Sequence, residues 1–171
     1  MPVLHLLRHA KSSWDVAGLD DHDRALTARG RTAAAAMGGY LRRAGIAPDG
    51  VLCSTAHRAV ETLEAIRGGL PDQTAVAITR DLYEVDAGRL RDQLRATDPA
   101  VTALLVIGHN PGMEDLAVRL AGEGGELEAL RRMAGKFPTG ALASLTFQGA
   151  WADLADGAAT LVGFVTPTDL A

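Results

Sequence analysis

Short apolar runs alternate along this chain with longer segments whose apolar residues recur at helical spacing. Four of the runs predict buried strands, over residues 3–7, 51–54, 75–79 and 103–107. The other segments predict helices over residues 28–43 with Thr27 as the N-cap, over 57–67 and 89–96, from about 113, and over 126–134. Strands that alternate with helices in this way are typical of α/β proteins.

The C-terminal part of the chain follows a different pattern. Residues 141–147 and 160–165 predict two strands on either side of a loop. We expect these strands to form a hairpin-like antiparallel pair at one edge of the sheet. No repeat, low-complexity tract or linker divides the chain, and 171 residues fit one ordinary domain. We therefore expect a single domain over residues 1–171.

Composition and charge narrow the class of protein. With 47% hydrophobic and 22% charged residues, the composition is that of a soluble globular protein. The net charge of −4 gives no basic surface, so we expect no nucleic-acid partner. Neither a membrane span nor a secretory signal is recognisable, and the lone Cys53 excludes a disulfide within the chain. We expect a cytoplasmic protein without membrane association.

Arginine and histidine side chains follow three of the predicted strands. Arg8 and His9 come directly after the first strand, Arg58 begins the helix after the second, and His109 follows the run 103–107. The carboxyl ends of adjacent parallel strands meet at one edge of a sheet, where α/β proteins bind ligands. Arginine presents a fork of donors that matches phosphate oxygens, and neutral imidazole can accept a phosphoryl group. We also expect the positive field of the arginines to keep the histidines neutral.

Each of these residues also has a simpler interpretation. Arg58 could be a solvated cation or form a surface ion pair with Glu61 or Glu64, and His109 could be a turn residue. Arg24 could form a local salt bridge among aspartates, and Glu84 could be an ordinary loop acid. Two histidines could indicate a metal site, but neighbouring arginines disfavour a cation. The functional interpretation depends on the side chains meeting in one place.

Four segments together resemble a known family. They are residues 7–12 (LRHAKS), 26–30 (LTARG), 54–62 (STAHRAVET) and 107–111 (IGHNP). In this order and spacing they resemble the histidine phosphatase superfamily, also called phosphoglycerate mutase-like. The Gly-His-Asn-Pro turn and the Asp-x-x-Arg-x-Leu-Thr segment, from Asp21 to Thr27, are most similar to its compact SixA-type phosphohistidine phosphatases. The resemblance implies a three-layer α/β sandwich with a mostly parallel central sheet.

The resemblance also implies roles for single residues. His9 is expected to accept the phosphoryl group, and Arg8, Arg58 and His109 are expected to line the phosphate pocket. Where the family usually has Arg-His-Gly, this chain has Arg-His-Ala, which we expect to leave the chemistry intact.

Two further positions follow from the same resemblance. An arginine placed like Arg24 can approach the substrate in the SixA-type branch. Glu84 best matches the family's general acid, with Asp86 close by as an alternative, although this branch does not always retain the acid.

These expectations together describe a hydrolase. We expect hydrolysis in two steps through phosphohistidine on His9, with no metal or other cofactor. No segment is long enough to cover the pocket, which favours a phosphorylated partner protein as substrate, such as a histidine-phosphotransfer domain. A small-molecule phosphomonoester is the alternative substrate. A mutase and a non-catalytic phosphoprotein-binding module are further alternatives.

Overall fold

A six-stranded sheet forms the centre of the structure. The computed structural model describes the whole chain, from Met1 to Ala171. The strands are β1 (Val3–Arg8), β2 (Gly50–Ser54), β3 (Ala75–Thr79), β4 (Ala103–Gly108), β5 (Leu142–Phe147) and β6 (Ala159–Val165). Their order across the sheet is β3-β2-β4-β1-β5-β6.

The sheet is parallel on one side and antiparallel on the other. β3, β2, β4 and β1 pair in parallel, whereas β5 and β6 pair antiparallel to their neighbours. The predicted antiparallel finish at one edge is therefore confirmed. The parallel part places the carboxyl ends of β1, β2 and β4 together at one edge.

Five α-helices cover the two faces of the sheet. They are α1 (Ala28–Arg43), α2 (His57–Ile66), α3 (Ala87–Arg95), α4 (Gly112–Ala121) and α5 (Leu127–Gly135). Alternate residues of a strand point to opposite faces. Leu6 of β1 accordingly packs with side chains of α3, α4 and α5, while Leu7 packs with side chains of α1 and α2. This arrangement is the expected three-layer α/β sandwich.

The helix boundaries follow local hydrogen bonds. Thr27 accepts a hydrogen bond from the backbone N–H of Gly30 at 2.9 Å and begins α1 as predicted. Asp86 accepts from the N–H of Arg89 at 2.9 Å, and α3 therefore begins at Ala87, two residues before the predicted start. Short 3-10 helices, among them Asp21–Asp23, were not predicted from the sequence.

Two close backbone contacts fix the loops that carry site residues. A Cβ on Gly30 would overlap the carbonyl oxygen of Lys11, so the start of α1 packs directly on the loop after β1. A Cβ on Gly112 would likewise overlap the carbonyl oxygen of Val85, beside the start of α4. Glycine is the residue that permits such contacts. None of the helices has both the length and the apolar character needed to cross a membrane.

Candidate active site

A cavity of about 720 Å³ opens at the carboxyl ends of β1, β2 and β4. All six site residues predicted from the sequence line it, namely Arg8, His9, Arg24, Arg58, Glu84 and His109. Other lining residues include Lys11, Ser12, Trp14, Asp21, Tyr83 and Asp86. The side chains that are distant in sequence therefore meet in one place.

Strand register explains why the residues meet. Arg8 at the end of β1 pairs with Gly108 at the end of β4, so His9 and His109 leave the sheet side by side. Their ring centroids are 5.2 Å apart. β2 lies on the other side of β4, and the helix that follows it presents Arg58 to the same edge.

His9 is held in one tautomer by its neighbour. Its Nδ1 lies 2.6 Å from the carbonyl oxygen of Ala10, which can only accept a hydrogen bond, so Nδ1 carries the ring proton. Nε2 then carries the lone pair, and Nε of Arg58 donates to it at 3.3 Å. The lone pair of His9 therefore lies beside a guanidinium group in the cavity.

The electrostatic surroundings keep His9 neutral. Burial lowers its pKa to about 3, with smaller lowering contributions from His109, Arg58 and Arg8 that act against the hydrogen bond to Ala10. The sequence alone indicates that the positive field of the arginines keeps the histidines neutral. In the structure, burial lowers the pKa of His9 more than that field does. At neutral pH the ring is neutral, with its proton on Nδ1, and Nε2 can act as a nucleophile.

Arg58 is buried and held by the 3-10 helix Asp21–Asp23. Its Nη1 donates to the backbone carbonyl of Asp21 at 2.7 Å, and its Nη2 donates to Oδ2 of the same residue at 3.0 Å. The alternative surface pair with Glu61 does not form, because that carboxylate contacts His57 and Arg31. Arg58 is therefore a fixed cation of the cavity.

Arg8 has one anchored nitrogen and one without a partner. Its Nη1 donates to the carbonyl of Phe137 at 3.0 Å. Its Nε is buried and makes no hydrogen bond. A buried donor without a partner is costly. Nη2 also makes no hydrogen bond within the protein, so Arg8 keeps donors for an anion in the cavity that it lines.

His109 is arranged through Ser54. The Ser54 hydroxyl lies 2.8 Å from Nε2 of His109 and accepts the N–H of Ala56 at 3.2 Å, so its own proton is available to Nε2. Nδ1 of His109 is buried and makes no hydrogen bond. Burial, followed by the charge of Arg58, lowers the pKa of His109 to about 4. His109 is therefore neutral at neutral pH, and its ring lies in the cavity beside that of His9.

Arg24 combines both interpretations drawn from the sequence. It forms the local salt bridge, with Nε 3.0 Å from Oδ1 of Asp21, and it also lines the cavity. Nη1 donates to the hydroxyl of Ser12 at 2.8 Å. Its guanidinium lies 3.5 Å from the ring centroid of Trp14. Arg24 thus contacts Asp21 and Ser12 of the cavity on one side and the exposed Trp14 at the cavity rim on the other.

The two candidate acids differ in their contacts. Asp86 is the N-cap of α3 and uses Oδ1 for that bond. Glu84 is exposed, makes no hydrogen bond and has a φ of 55°. Residues other than glycine rarely adopt such a φ, and they do so preferentially at functional positions. Of the two, Glu84 has the carboxylate that is free to meet a substrate.

Several lining residues were not assigned a role from the sequence. Asp21 entered only as part of the motif with Arg24, and Tyr83 was given no role. Trp14 lies in a polar loop with no periodic pattern, so nothing in the sequence marked it. No cluster of three or more His, Cys, Asp or Glu side chains is placed to share a metal ion.

The arrangement has the parts that phosphoryl transfer to nitrogen requires. Nε2 of the neutral His9 ring accepts a hydrogen bond from the guanidinium of Arg58, and Arg8 and His109 line the same cavity. Phosphoryl transfer depends mainly on positioning and on stabilising charge on the phosphate oxygens. The cavity supplies both.

Comparison with known proteins likewise indicates a phosphatase. Residues 4–135 match the model of the histidine phosphatase superfamily (branch 1). An uncharacterised protein of Mycobacterium tuberculosis (strain ATCC 25618 / H37Rv) is 41% identical over 162 residues, which cover 94% of this chain and 99% of that protein.

Two solved structures share the fold over nearly the whole chain. A candidate phosphohistidine phosphatase SixA from Nakamurella multipartitia has a TM-score of 0.83 and 31% identity, over 97% of this chain and 96% of that one. The protein histidine phosphatase SixA complexed with tungstate has a TM-score of 0.79 and 26% identity, over 99% of both chains.

Proposed function

This chain belongs to the histidine phosphatase superfamily, branch 1, and from that premise we propose that it removes phosphate from phosphohistidine in a partner protein. The chain is a phosphatase of the SixA type. The observation that carries the mechanism is the position of Nε2 of His9, which lies 3.3 Å from Nε of Arg58 in a cavity also lined by Arg8 and His109.

In the first step the substrate phosphate enters between the cationic and donor groups. Arg58 and Arg8 bind its oxygens, because each has N–H groups not used within the protein. His109 contributes a further donor through the tautomer that carries its proton on Nδ1. Nε of Arg58 releases its hydrogen bond to Nε2 of His9, and the freed lone pair attacks phosphorus in line with the leaving group. As the P–N bond forms, the bond to the leaving group breaks, and its electron pair goes to the departing nitrogen or oxygen.

The hydrogen bond between His9 and Ala10 helps this step. Phosphorylation at Nε2 makes the ring cationic, because Nδ1 keeps its proton. The carbonyl of Ala10, 2.6 Å away, stabilises that positive charge and prevents the ring from turning. The same cationic donors stabilise the charge on the phosphate oxygens in the transition state, so no metal ion is required.

In the second step water attacks the phosphorus of the phosphoenzyme. A P–O bond forms, the P–Nε2 bond breaks, and its electron pair returns to His9. The proton of the attacking water goes to solvent or to the released phosphate. The enzyme is restored with His9 neutral.

The rim of the cavity supports a protein substrate. Trp14 lines the mouth and is 76% exposed, and Val16 and Leu19 on the same loop are also exposed. Exposed aromatic side chains are enriched where proteins bind one another. Imidazole is also a good leaving group once protonated, so phosphohistidine places little demand on a general acid.

A small phosphomonoester is the second candidate substrate, and Glu84 is the observation that favours it. In its protonated form, the side chain of Glu84 could give a proton to a departing alkoxide, which needs an acid more than imidazole does. We expect Glu84→Gln to slow hydrolysis of an ester such as p-nitrophenyl phosphate less than that of a sugar phosphate, because nitrophenolate leaves readily. If phosphohistidine is the natural substrate, its hydrolysis should hardly change.

The decisive experiment compares substrates in the presence of EDTA. A phosphohistidine protein, a panel of sugar phosphates and p-nitrophenyl phosphate are incubated with the purified enzyme, and kcat/KM is measured for each. The proposal expects activity without added metal and the highest kcat/KM on the phosphohistidine protein. A clear preference for a sugar phosphate would support the alternative function, that of a small-molecule phosphomonoesterase. Tight binding of the phosphoprotein without any turnover would instead indicate a binding module.

A further inference from the structure

We propose that Asp21 is a positioning residue, whose carboxylate holds Arg58 and Arg24 in the orientation that phosphoryl transfer needs. This inference rests on the proposed function. Asp21 lies on the 3-10 helix Asp21–Asp23, more than ten residues from β1 and far in sequence from Arg58. It contacts neither His9 nor His109 by a hydrogen bond, so it would act through the arginines.

Both carboxylate oxygens of Asp21 are occupied. Oδ1 accepts from Nε of Arg24 at 3.0 Å, and Oδ2 accepts from Nη2 of Arg58 at 3.0 Å and from the hydroxyl of Tyr83 at 2.6 Å. The backbone carbonyl of Asp21 accepts from Nη1 of Arg58 at 2.7 Å. One residue therefore fixes two arginines and a tyrosine of the cavity wall.

Asp21 is unsuited to proton transfer. The hydrogen bond from Tyr83, followed by those from Arg24 and Arg58 and the charge of Arg58, lowers its pKa to about 2 against the opposing effect of burial. A carboxylate with so low a pKa holds no proton to supply at neutral pH and is too weak a base to remove one effectively. Its contribution is therefore geometric and electrostatic.

The geometry of Arg58 indicates what Asp21 contributes. Each terminal nitrogen of a guanidinium carries two N–H groups. Asp21 uses one on each, which leaves one N–H on Nη1 and one on Nη2 for phosphate oxygens while Nε points to His9. Without this anchor, Arg58 would be a flexible cation repelled by Arg8, and its donors would lose their alignment with the transition state.

A competing role for the same carboxylate makes the opposite prediction. Asp21 could act as an internal anion that occupies the arginines until substrate displaces it. Its removal would then strengthen phosphate binding and leave turnover unchanged or faster. A positioning role predicts instead that turnover falls, and that binding of a transition-state analogue weakens more than binding of phosphate.

The test uses Asp21→Asn, which keeps the size of the side chain and removes its charge. The matched control is Asp20→Asn, because Asp20 is the exposed preceding residue and its carboxylate makes no hydrogen bond in the structure. For each variant, kcat and KM on p-nitrophenyl phosphate are measured. Binding of orthovanadate and of inorganic phosphate is measured by titration calorimetry, which does not depend on turnover.

We expect Asp21→Asn to lower kcat about 10- to 100-fold and to weaken vanadate binding about tenfold, with KM and phosphate affinity changed less than about threefold. Asp20→Asn should match the wild type. Unchanged kcat and vanadate affinity in Asp21→Asn, or tighter phosphate binding, would overturn the inference.

A second variant separates positioning from folding. Tyr83→Phe removes one hydrogen bond to Oδ2 and leaves both arginine contacts, so we expect a kcat loss of less than about fivefold. If Tyr83→Phe and Asp21→Asn lower kcat only in proportion to a lower Tm, the role is structural and the inference fails. If the wild type hydrolyses no phosphate compound, the proposed function fails, and the calorimetric comparison alone decides the role of Asp21.

Discussion

At the floor of the cavity His9 and Arg58 are 6% and 5% exposed, whereas Trp14 on the rim is 76% exposed. Strand register and the hydrogen bond to the carbonyl of Ala10 fix His9. Arg58 begins the helix shortly after β2 and is fixed by its hydrogen bond to the carbonyl of Asp21. The rim is carried by the loop after β1 and by the loop before α3. Groups that perform chemistry must be held accurately, while groups that select a substrate must reach solvent. The two regions should therefore respond differently to mutation.

The largest expected effect is at the floor. We expect His9→Ala to abolish turnover of every substrate, because no other side chain replaces the lone pair at Nε2. The measurement is a phosphatase assay together with trapping of the acid-labile phosphoenzyme. His57→Ala is a suitable control, since His57 is an exposed histidine that contacts Glu61 outside the cavity. Near-normal activity of His9→Ala would contradict the assignment of the nucleophile.

Arg58→Lys should have the next largest effect. Lysine keeps the positive charge but cannot bind the carbonyl of Asp21, its carboxylate and His9 with three nitrogens at once. We expect kcat/KM to fall about 100-fold on all substrates, because alignment of the charge is lost in the transition state. Arg31→Lys serves as the control, as Arg31 pairs with Glu61 on the surface. A loss below about fivefold would show that charge alone suffices.

A mutation of the rim should distinguish substrates instead. We expect Trp14→Ala to lower kcat/KM about tenfold on a phosphohistidine protein, by loss of an interface aromatic, and to leave p-nitrophenyl phosphate within about twofold. Both substrates are assayed with the same enzyme preparation. Val162→Ala removes an exposed apolar side chain from β6, away from the cavity, and should affect neither substrate. Equal losses on both substrates would mean that Trp14 supports Arg24 rather than a partner.

The contrast between floor and rim also explains what the sequence could reveal. Arg8, His9 and His109 directly follow apolar runs, so the rule that parallel strands end at one edge was enough to bring them together. Asp21 and Trp14 lie in a polar loop without periodicity, where position depends on tertiary contacts. The packing of Gly30 on Lys11 and the stacking of Trp14 on Arg24 are such contacts. Neither leaves a local pattern in the sequence.

Element boundaries show the same limit on a smaller scale. The start of α1 was predicted correctly because Thr27 is a typical N-cap residue. The start of α3 was placed two residues late, because Asp86 was considered as an acid and not as a cap. A short polar side chain can serve either purpose, and only its hydrogen bond to Arg89 decides between them.

The smallest expected effect on turnover is that of moderate acid. A histidine with an ordinary pKa of about 6.5 would be about 90% protonated at pH 5.5 and unable to attack. Because the pKa of His9 is about 3 and that of His109 about 4, both remain neutral there. We expect kcat at saturating p-nitrophenyl phosphate to change less than about twofold between pH 7.5 and 5.5. A tenfold fall centred near pH 6.5 would contradict a pre-neutralised nucleophile.

The kcat measured at pH 5.5 must be corrected for the fraction of folded enzyme, because acid also lowers the free energy of unfolding in this pH range. His5 is buried beside Ser144, and burial lowers its pKa to about 4, as it lowers those of His9 and His109. Between pH 6.5 and 4 the unfolded chain binds protons that the native state does not, so the free energy of unfolding falls with falling pH. Each of the three histidines should contribute a loss on the order of 1 kcal/mol at pH 5.5. Urea unfolding at pH 7.5 and 5.5 measures this loss. An enzyme that is folded but inactive at pH 5.5 would indicate that His9 or His109 is protonated there, which contradicts the prediction.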